Sequence, residues 1–246
     1  MLDGYFDPMR LKTTVFIPTI PNHFKYLENI VQTYNTGKVI PDEIIISAAM
    51  DNSDIHQLDH LKQYDNVRIE PYFGKLEVGP NRQRAKEFVD GGIILYQDSD
   101  DLPCKERVYW VRKFFQENSD ISVLNHSYVF MGKEITDELL ESYVTVFSPE
   151  LKKLYFPNNK YPDDAKGMGC YGKYMSFPVH AGAVCIRRNV LDSVSWKRMS
   201  EYQIFNPLPL YSYKGAYAED AEFCFDCIWK LNKSAIISLP LYYYRK

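Results

Sequence analysis

Gly91-Gly92-Ile93-Ile94-Leu95-Tyr96-Gln97-Asp98-Ser99-Asp100-Asp101 runs without a gap from a glycine break through an apolar strand into an acidic loop. A short continuous apolar run bounded by turn residues reads as a strand buried on both faces. Such strands belong to parallel sheets covered by helices on each side. The acidic loop then stands at the strand's carboxyl end, where open α/β sheets bind their ligands.

The flanking sequence agrees. Thr13 to Pro18 is a β-rich run that opens into Thr19-Ile20-Pro21-Asn22, and Phe24, Leu27, Ile30 and Val31 then follow helical spacing up to Gly37. Glu43 to Ser47 is a second strand leading into Asp51-Asn52-Ser53-Asp54, a short helix carries Leu58 and Leu61, and Val67 to Glu70 is a third strand. Asn81 to Val89 reads as a helix before the glycine break, Lys105 to Phe115 as another after the acidic loop, and Ile121 to Leu124 as a fifth strand. Alternating strands and helices imply a mostly parallel sheet with right-handed crossovers. The stretch from about Gly132 to Val179 is rich in Pro, Gly, Asn, Asp and Tyr, and reads as a long, partly ordered excursion. Regularity returns with a strand at Ala183 to Arg188, a helix at Ala221 to Leu231 and a last strand at Ala235 to Ser238.

Composition narrows the function classes. The chain has 246 residues, enough for one domain with a sizeable core, and its net charge of -3 is not the basic footprint of a nucleic-acid binder. No apolar run is long enough to span a bilayer, and the acidic first ten residues do not form a secretory signal. Five cysteines without framework spacing fit a reducing compartment, so a cytoplasmic location is expected. Aromatic residues make up 15%, with 20 tyrosines, a composition that suits clefts stacking on sugars or bases.

Three motifs lack the context their chemistry needs. Gly167 to Gly172 matches G-x-G-x-x-G but follows no strand and opens no helix. Cys224 and Cys227 share one face inside a helix and read as core thiols. His56 and His60 could share a metal, yet Gln57 stands where a general-base glutamate would be, and an exposed polar face is the better reading.

The chemistry-bearing signals are two. Asp98, Asp100 and Asp101 repel one another at a strand end, a cost that a hard divalent cation holding diphosphate oxygens offsets; a solvated acidic turn is the plainer alternative. Glu219 and Asp220 stand at a helix start, where they could serve the helix dipole or, held over a cleft, take a proton from a hydroxyl.

Taken in order, Ile17-Pro18-Thr19, Asp51-Asn52-Ser53, Asn81-Arg82-Gln83, Val89-Asp90-Gly91, the acidic loop and Glu219-Asp220 resemble the GT-A glycosyltransferases of family 2. The resemblance covers about Thr13 to Arg188, the excursion excepted, and Tyr217 to Arg245. It implies an α/β, Rossmann-like GT-A fold, a mostly parallel central sheet flanked by helices with a smaller acceptor-side region. A single domain over 1–246 is expected, with a nucleotide-donor half at about 11–128 and an acceptor and catalytic half at about 129–246. It further implies a metal-dependent enzyme that transfers a sugar with inversion from a nucleotide-sugar, by default a UDP-sugar, to a glycan or other hydroxyl acceptor. Pro18, Thr19 and Asp51 match places lining the nucleotide, and Arg82 matches an arginine facing it. Asp98 would contact the ribose or sugar side and share the metal, and Asp100 would hold Mn²⁺ or Mg²⁺ against the diphosphate. Asp101 matches a residue supporting the donor sugar, Gly182 the glycine flanking donor and acceptor, and Asp220 the catalytic base, with Glu219 beside it.

The departures are as informative. The chain ends at Tyr244-Arg245-Lys246, where many relatives carry a metal-binding histidine after Tyr-Arg; Gln83 and Ala85 replace the usual Asn and Gly; the Q-x-x-R-W signature of processive synthases is absent. A sugar nucleotidyltransferase is the alternative enzyme, although Thr19-Ile20-Pro21-Asn22 lacks the glycines and lysine of a triphosphate loop. A non-catalytic sugar- or nucleotide-binding domain of the same fold is the alternative outside enzymes.

Overall fold

The computed structural model describes residues 11–141, 143–155, 181–197 and 219–245. The G-x-G-x-x-G segment and the excursion beyond residue 155 lie outside them. The strands are β1 (Thr13–Thr19), β2 (Glu43–Met50), β3 (Val67–Phe73), β4 (Ile93–Tyr96), β5 (Leu102–Pro103), β6 (Val123–Phe130), β7 (Thr145–Phe147), β8 (Val184–Arg187) and β9 (Ser234–Tyr244). The α-helices are α1 (Phe24–Asn35), α2 (Val78–Gln83), α3 (Ala85–Phe88), α4 (Arg107–Glu117), α5 (Asp137–Glu141), α6 (Ser148–Tyr155) and α7 (Glu219–Asp226).

Among the described residues all nine strands join one sheet, in the order β3-β2-β1-β4-β8-β6-β9-β5, with β7 also on β9. β1, β2, β3 and β4 pair in parallel, β8 runs against both β4 and β6, and β9 is parallel to β6. Six strands therefore point one way, with β5, β7 and β8 opposed, and the sheet is mostly parallel as expected.

Alternation along β1 fills both faces. Val15 and Ile17 join a cluster with Phe24, Leu27, Ile30 and Val31 of α1 and Val108 and Val111 of α4. Phe16 joins the opposite cluster with Ala85, Trp196, Phe223 and Ile228. Full burial of side chains of this size contributes about 1.5–3 kcal/mol each, and the buried positions of α1 recur at helical spacing, as the sequence predicts.

Boundaries differ where local chemistry overrides periodicity. The helix expected at Asn81–Val89 starts earlier, at Val78, with Pro80 in its first turn, where a missing N–H costs nothing, and it divides at Arg84. The guanidinium of Arg84 reaches Ser47 Oγ at 2.6 Å and the carbonyls of Glu70 and Pro71. The last strand continues to Tyr244, past Pro240, which falls where the β6–β9 register shifts and its missing donor is harmless. The helix expected at Ala221–Leu231 is α7 followed by a π-helical turn, Cys227–Leu231, which ends on Asn232 in the left-handed region at φ 52°. Cys224 and Cys227 are fully buried, and His56 is exposed beside Asp59. No helix among the described residues is long and apolar enough to cross a membrane.

The glycine break before β4 is a backbone requirement. Gly92 has φ +77°, and a Cβ there would lie 2.9 Å from the carbonyl carbon of Lys12, whose oxygen accepts the N–H of Ile93 at 2.8 Å. Gly92→Ala should therefore lower unfolding stability by about 2 kcal/mol or more, read from urea unfolding; a change under 0.5 kcal/mol would show that the turn relaxes freely.

Candidate active site

The carboxyl ends of β1 and β4 and the start of α2 enclose a cleft of about 620 Å³. Pro18, Thr19, Ile20 and His23 form one wall, Leu76 to Val78 with Asn81 and Arg82 another, and Asp98, Ser99 and Asp100 the floor. Thr19 is buried at the end of β1. The position of Arg82 is set by its neighbour: Ser47 Oγ donates to Asn81 Oδ1 at 2.6 Å, and Asn81 Nδ2 donates back to the Ser47 carbonyl at 3.1 Å. With α2 pinned to β2 in this way, Arg82 Nη2 donates to Asp98 Oδ1 at 2.7 Å, and its guanidinium lies 5.1 Å from the ring of Trp196. That ring stacks on Phe223 of α7 at 3.9 Å, and the Trp196 backbone N–H donates to Gln83 Oε1 at 2.8 Å, so α2 and α7 are held together through one residue.

The acidic loop is stapled from beneath. Gln97, fully buried, donates through Nε2 to the carbonyls of Asp98 and Asp101. Its Oε1 accepts from Tyr34 OH at 2.9 Å and from Arg107 Nη1 at 2.7 Å. Arg107 spends all five of its N–H donors: Nε on His126 Nε2, Nη1 on Tyr34 OH and Gln97 Oε1, and Nη2 on the carbonyls of Tyr96 and Gly182. Burial opposes its charge, yet the surrounding phenol and thiol groups, Tyr34 first, tip the balance upward and keep it a cation. Because His126 Nε2 accepts, its proton sits on Nδ1, facing the Ser127 carbonyl at 2.9 Å.

Gly182 rests directly on Asp98. A Cβ at 182 would stand 3.0 Å from Asp98 Oδ2, so a larger residue here would have to displace that carboxylate by a few tenths of an ångström. Asp101 faces elsewhere. It is 2% exposed, lines a separate cavity of about 290 Å³ with Tyr26, Asn29, Met131 and Arg245, and takes the Arg245 backbone N–H on Oδ1 at 2.7 Å. Burial, reinforced by the charges of Asp98 and Asp100, pushes its carboxyl up to about 8. Arg245 also donates from Nε to the Asp100 carbonyl at 2.7 Å and lies 4.1 Å over the Tyr26 ring, which ties the end of β9 to the loop.

Asp220 is half-buried in the first turn of α7, a helix set against β6 by Cys224 Sγ on Asn125 Oδ1 at 3.4 Å. Tyr128 of β6 links it to the acidic loop: burial, then Asp101 and Asp220, raise the phenol above its ordinary range. Glu219 opens the same helix. Asp51 stands apart from these groups. It is exposed at the end of β2 and outside the cleft lining, and its carboxylate caps the helical turn Asn52–Gln63 in a reciprocal box with Asp54.

The structure thus brings together Pro18, Thr19, Arg82, Asp98, Asp100 and Gly182, sets Asp101 and Asp220 within electrostatic reach of Tyr128, and leaves Asp51 outside the cleft lining. Sequence reasoning passed over His23, Gln97, Arg107 and Tyr128. The visible signal for Arg107 was a lone arginine in register with Val108, Val111 and Phe115 on the buried face of α4. His23 carried no signal beyond its place after Pro21-Asn22.

No protein-family model matches the chain, and no match was found among the curated proteins. Solved structures are. Residues 1–349 of S. aureus TarS superpose with a TM-score of 0.62 at 18% identity, over 96% of this chain and 60% of that one. The same protein in complex with UDP-GlcNAc gives 0.61 at 16% identity. Glucosyl-3-phosphoglycerate synthase from Mycobacterium tuberculosis, in complex with Mn²⁺, UDP and glucosyl-3-phosphoglycerate, gives 0.59 at 14%, over 96% of this chain and 72% of that one. The chain spans about three fifths of the TarS fragment, and identities this low speak for the fold. Strand order, the reversed β8 and these superpositions agree: the chain has the GT-A glycosyltransferase fold.

Proposed function

We propose that the chain is a glycosyltransferase, moving a sugar from a nucleoside diphosphate sugar, a UDP-sugar by the analogy of its structural neighbours, to a hydroxyl acceptor with inversion. The observation that carries this reading is the floor of the cleft: Asp98, held by Arg82 and roofed by Gly182, beside Asp100. Pro18, Thr19 and Arg82 form the donor side. In this reading residues 11–128 hold the donor, and about 129–246 present the acceptor and the base.

The acidic loop fits a cation. Asp98 and Asp100 both border the cleft, while Asp101, buried beside a separate cavity with its carboxyl pushed up to about 8, stays out of it. No group of three or more His, Cys, Asp or Glu is arranged to hold a metal there among the described residues. The two carboxylates bordering the cleft would fit Mn²⁺ or Mg²⁺ held by Asp100 with Asp98, the remaining ligands coming from phosphate oxygens and water. Bound there, the ion would supply positive charge to the diphosphate leaving group. Arg82 orients Asp98, Gly182 leaves room for the sugar beside it, and Asp220 takes the proton of the acceptor hydroxyl as that oxygen attacks the anomeric carbon.

Mn²⁺ alone should leave the melting temperature within about 1 °C, because the protein offers too few ligands without a diphosphate. UDP with Mn²⁺ at about 100 times its Kd should add about 2.7 kcal/mol, or ~5–10 °C for a chain of this size. No shift with any nucleoside diphosphate and Mn²⁺ would favour a non-catalytic domain of the same fold.

Two variants separate the roles. Asp100→Ala should abolish the Mn²⁺ dependence of UDP affinity in calorimetry, and retained dependence would remove it from the metal site. Asp220→Asn should lower sugar transfer about 10²–10⁴-fold while UDP affinity stays within about two-fold; wild-type turnover would exclude it as the base.

A further inference from the structure

His23 lines the cleft from the turn Pro21–His23, in the same lining as Arg82. Its Nδ1 is hydrogen-bonded to Ser99 Oγ at 2.9 Å. Ser99 is 4% exposed and stands between Asp98 and Asp100, so this bond anchors the imidazole to the middle of the acidic loop. The turn is itself fixed, since the His23 N–H donates to the Ile20 carbonyl at 2.9 Å and the Tyr26 ring lies 6.2 Å away. The other ring nitrogen, Nε2, makes no hydrogen bond among the described residues. A ring held at one nitrogen presents the other in a defined direction, the arrangement by which histidines are oriented toward a ligand.

Charge decides what that ligand is. Among the described residues Arg82 is the one lysine or arginine lining the cleft, and Asp98 already accepts one of its N–H groups. A diphosphate on this floor needs further donors besides a metal, and a ring anchored on Ser99 lies beside the acidic loop rather than at the Leu76–Val78 wall. We propose that His23 is a donor-binding residue for the diphosphate: Ser99 Oγ–H donates to Nδ1, and Nε2–H donates to an oxygen of the distal, sugar-bearing phosphate. In this role His23 stabilises the charge that collects on the leaving group, and Ser99 sets the ring. The inference rests on the proposed glycosyltransferase reading, and it assigns a contact that was not among the sequence-predicted site residues.

The test compares UDP with UMP, each with Mn²⁺, by calorimetry on the wild-type chain and on His23→Ala, His23→Gln and Ser99→Ala. The expected result for His23→Ala is a loss of about 10-fold or more in UDP affinity with UMP affinity held within two-fold, since UMP lacks the distal phosphate. His23→Gln, which restores an N–H donor of similar reach, should recover part of the loss. Ser99→Ala, which keeps the imidazole but frees it, should fall between. Equal losses for UDP and UMP, or none for either, overturn the inference. Melting temperatures of the free variants within about 2 °C of wild type show that the fold is intact. If the wild-type chain binds neither nucleotide, the proposed function fails and the inference with it; if wild type and His23→Ala bind UDP equally, the inference alone fails.

Discussion

A buried guanidinium holds this site together. Arg107 is fully enclosed and touches only neutral acceptors, so its charge is compensated by oriented dipoles and one imidazole. Desolvating a cation costs several kcal/mol unless every donor is met. Here each of the five is met, by groups from α1, β4, β6 and the turn Ala181–Ala183. The geometry of the acidic loop, through Gln97, and that of Gly182, through its carbonyl, are set by the same side chain. Hydrogen bonds to a charged donor in a low-dielectric interior are stronger and more directional than neutral ones. The cleft floor is accordingly rigid for reasons that lie beneath it.

Above that floor each group is positioned by a different element and a different force. Asn81 fixes Arg82 by hydrogen bonds to β2; Trp196 carries α7 against α2 by stacking; Arg245 ties β9 to the loop through backbone and side chain together. Parallel strands deliver β1 and β4 side by side with their carboxyl ends aligned, which is why Thr19 and Asp98 line one cleft although 79 positions apart in the numbering. The reversed β8 then brings the Gly182 turn to the same end of the sheet, because an antiparallel strand starts where its neighbours finish.

Much of this was legible in the amino-acid order. The glycine break, the apolar run and the acidic loop announce β4 and its ligand end through local rules alone, and periodicity locates α1 and α4. What escaped depends on distance in the chain. His126 on β6 looks like an ordinary strand residue until Arg107 is placed beside it. Asp51 follows a strand just as Asp98 does, and only the capping geometry with Asp54 shows that its carboxylate serves the backbone. Asp101 is adjacent to Asp100, yet it turns toward α1 and Arg245, a direction no spacing encodes.

The place of β8 bears on how the chain assembles. β4 and β6 are not neighbours; β8 lies between them and pairs Leu95 and Leu124 with the same residue, Cys185. The middle of the sheet therefore stays open until about 90 further residues have been synthesised, and Arg107 waits 75 residues for the Gly182 carbonyl. Contacts that close such long loops raise the entropic barrier and slow folding. During that interval β4 exposes an unpaired apolar edge, the kind of surface on which nascent chains aggregate. The strand that completes the cleft is thus also the one whose late arrival leaves the apolar edge of β4 uncovered longest.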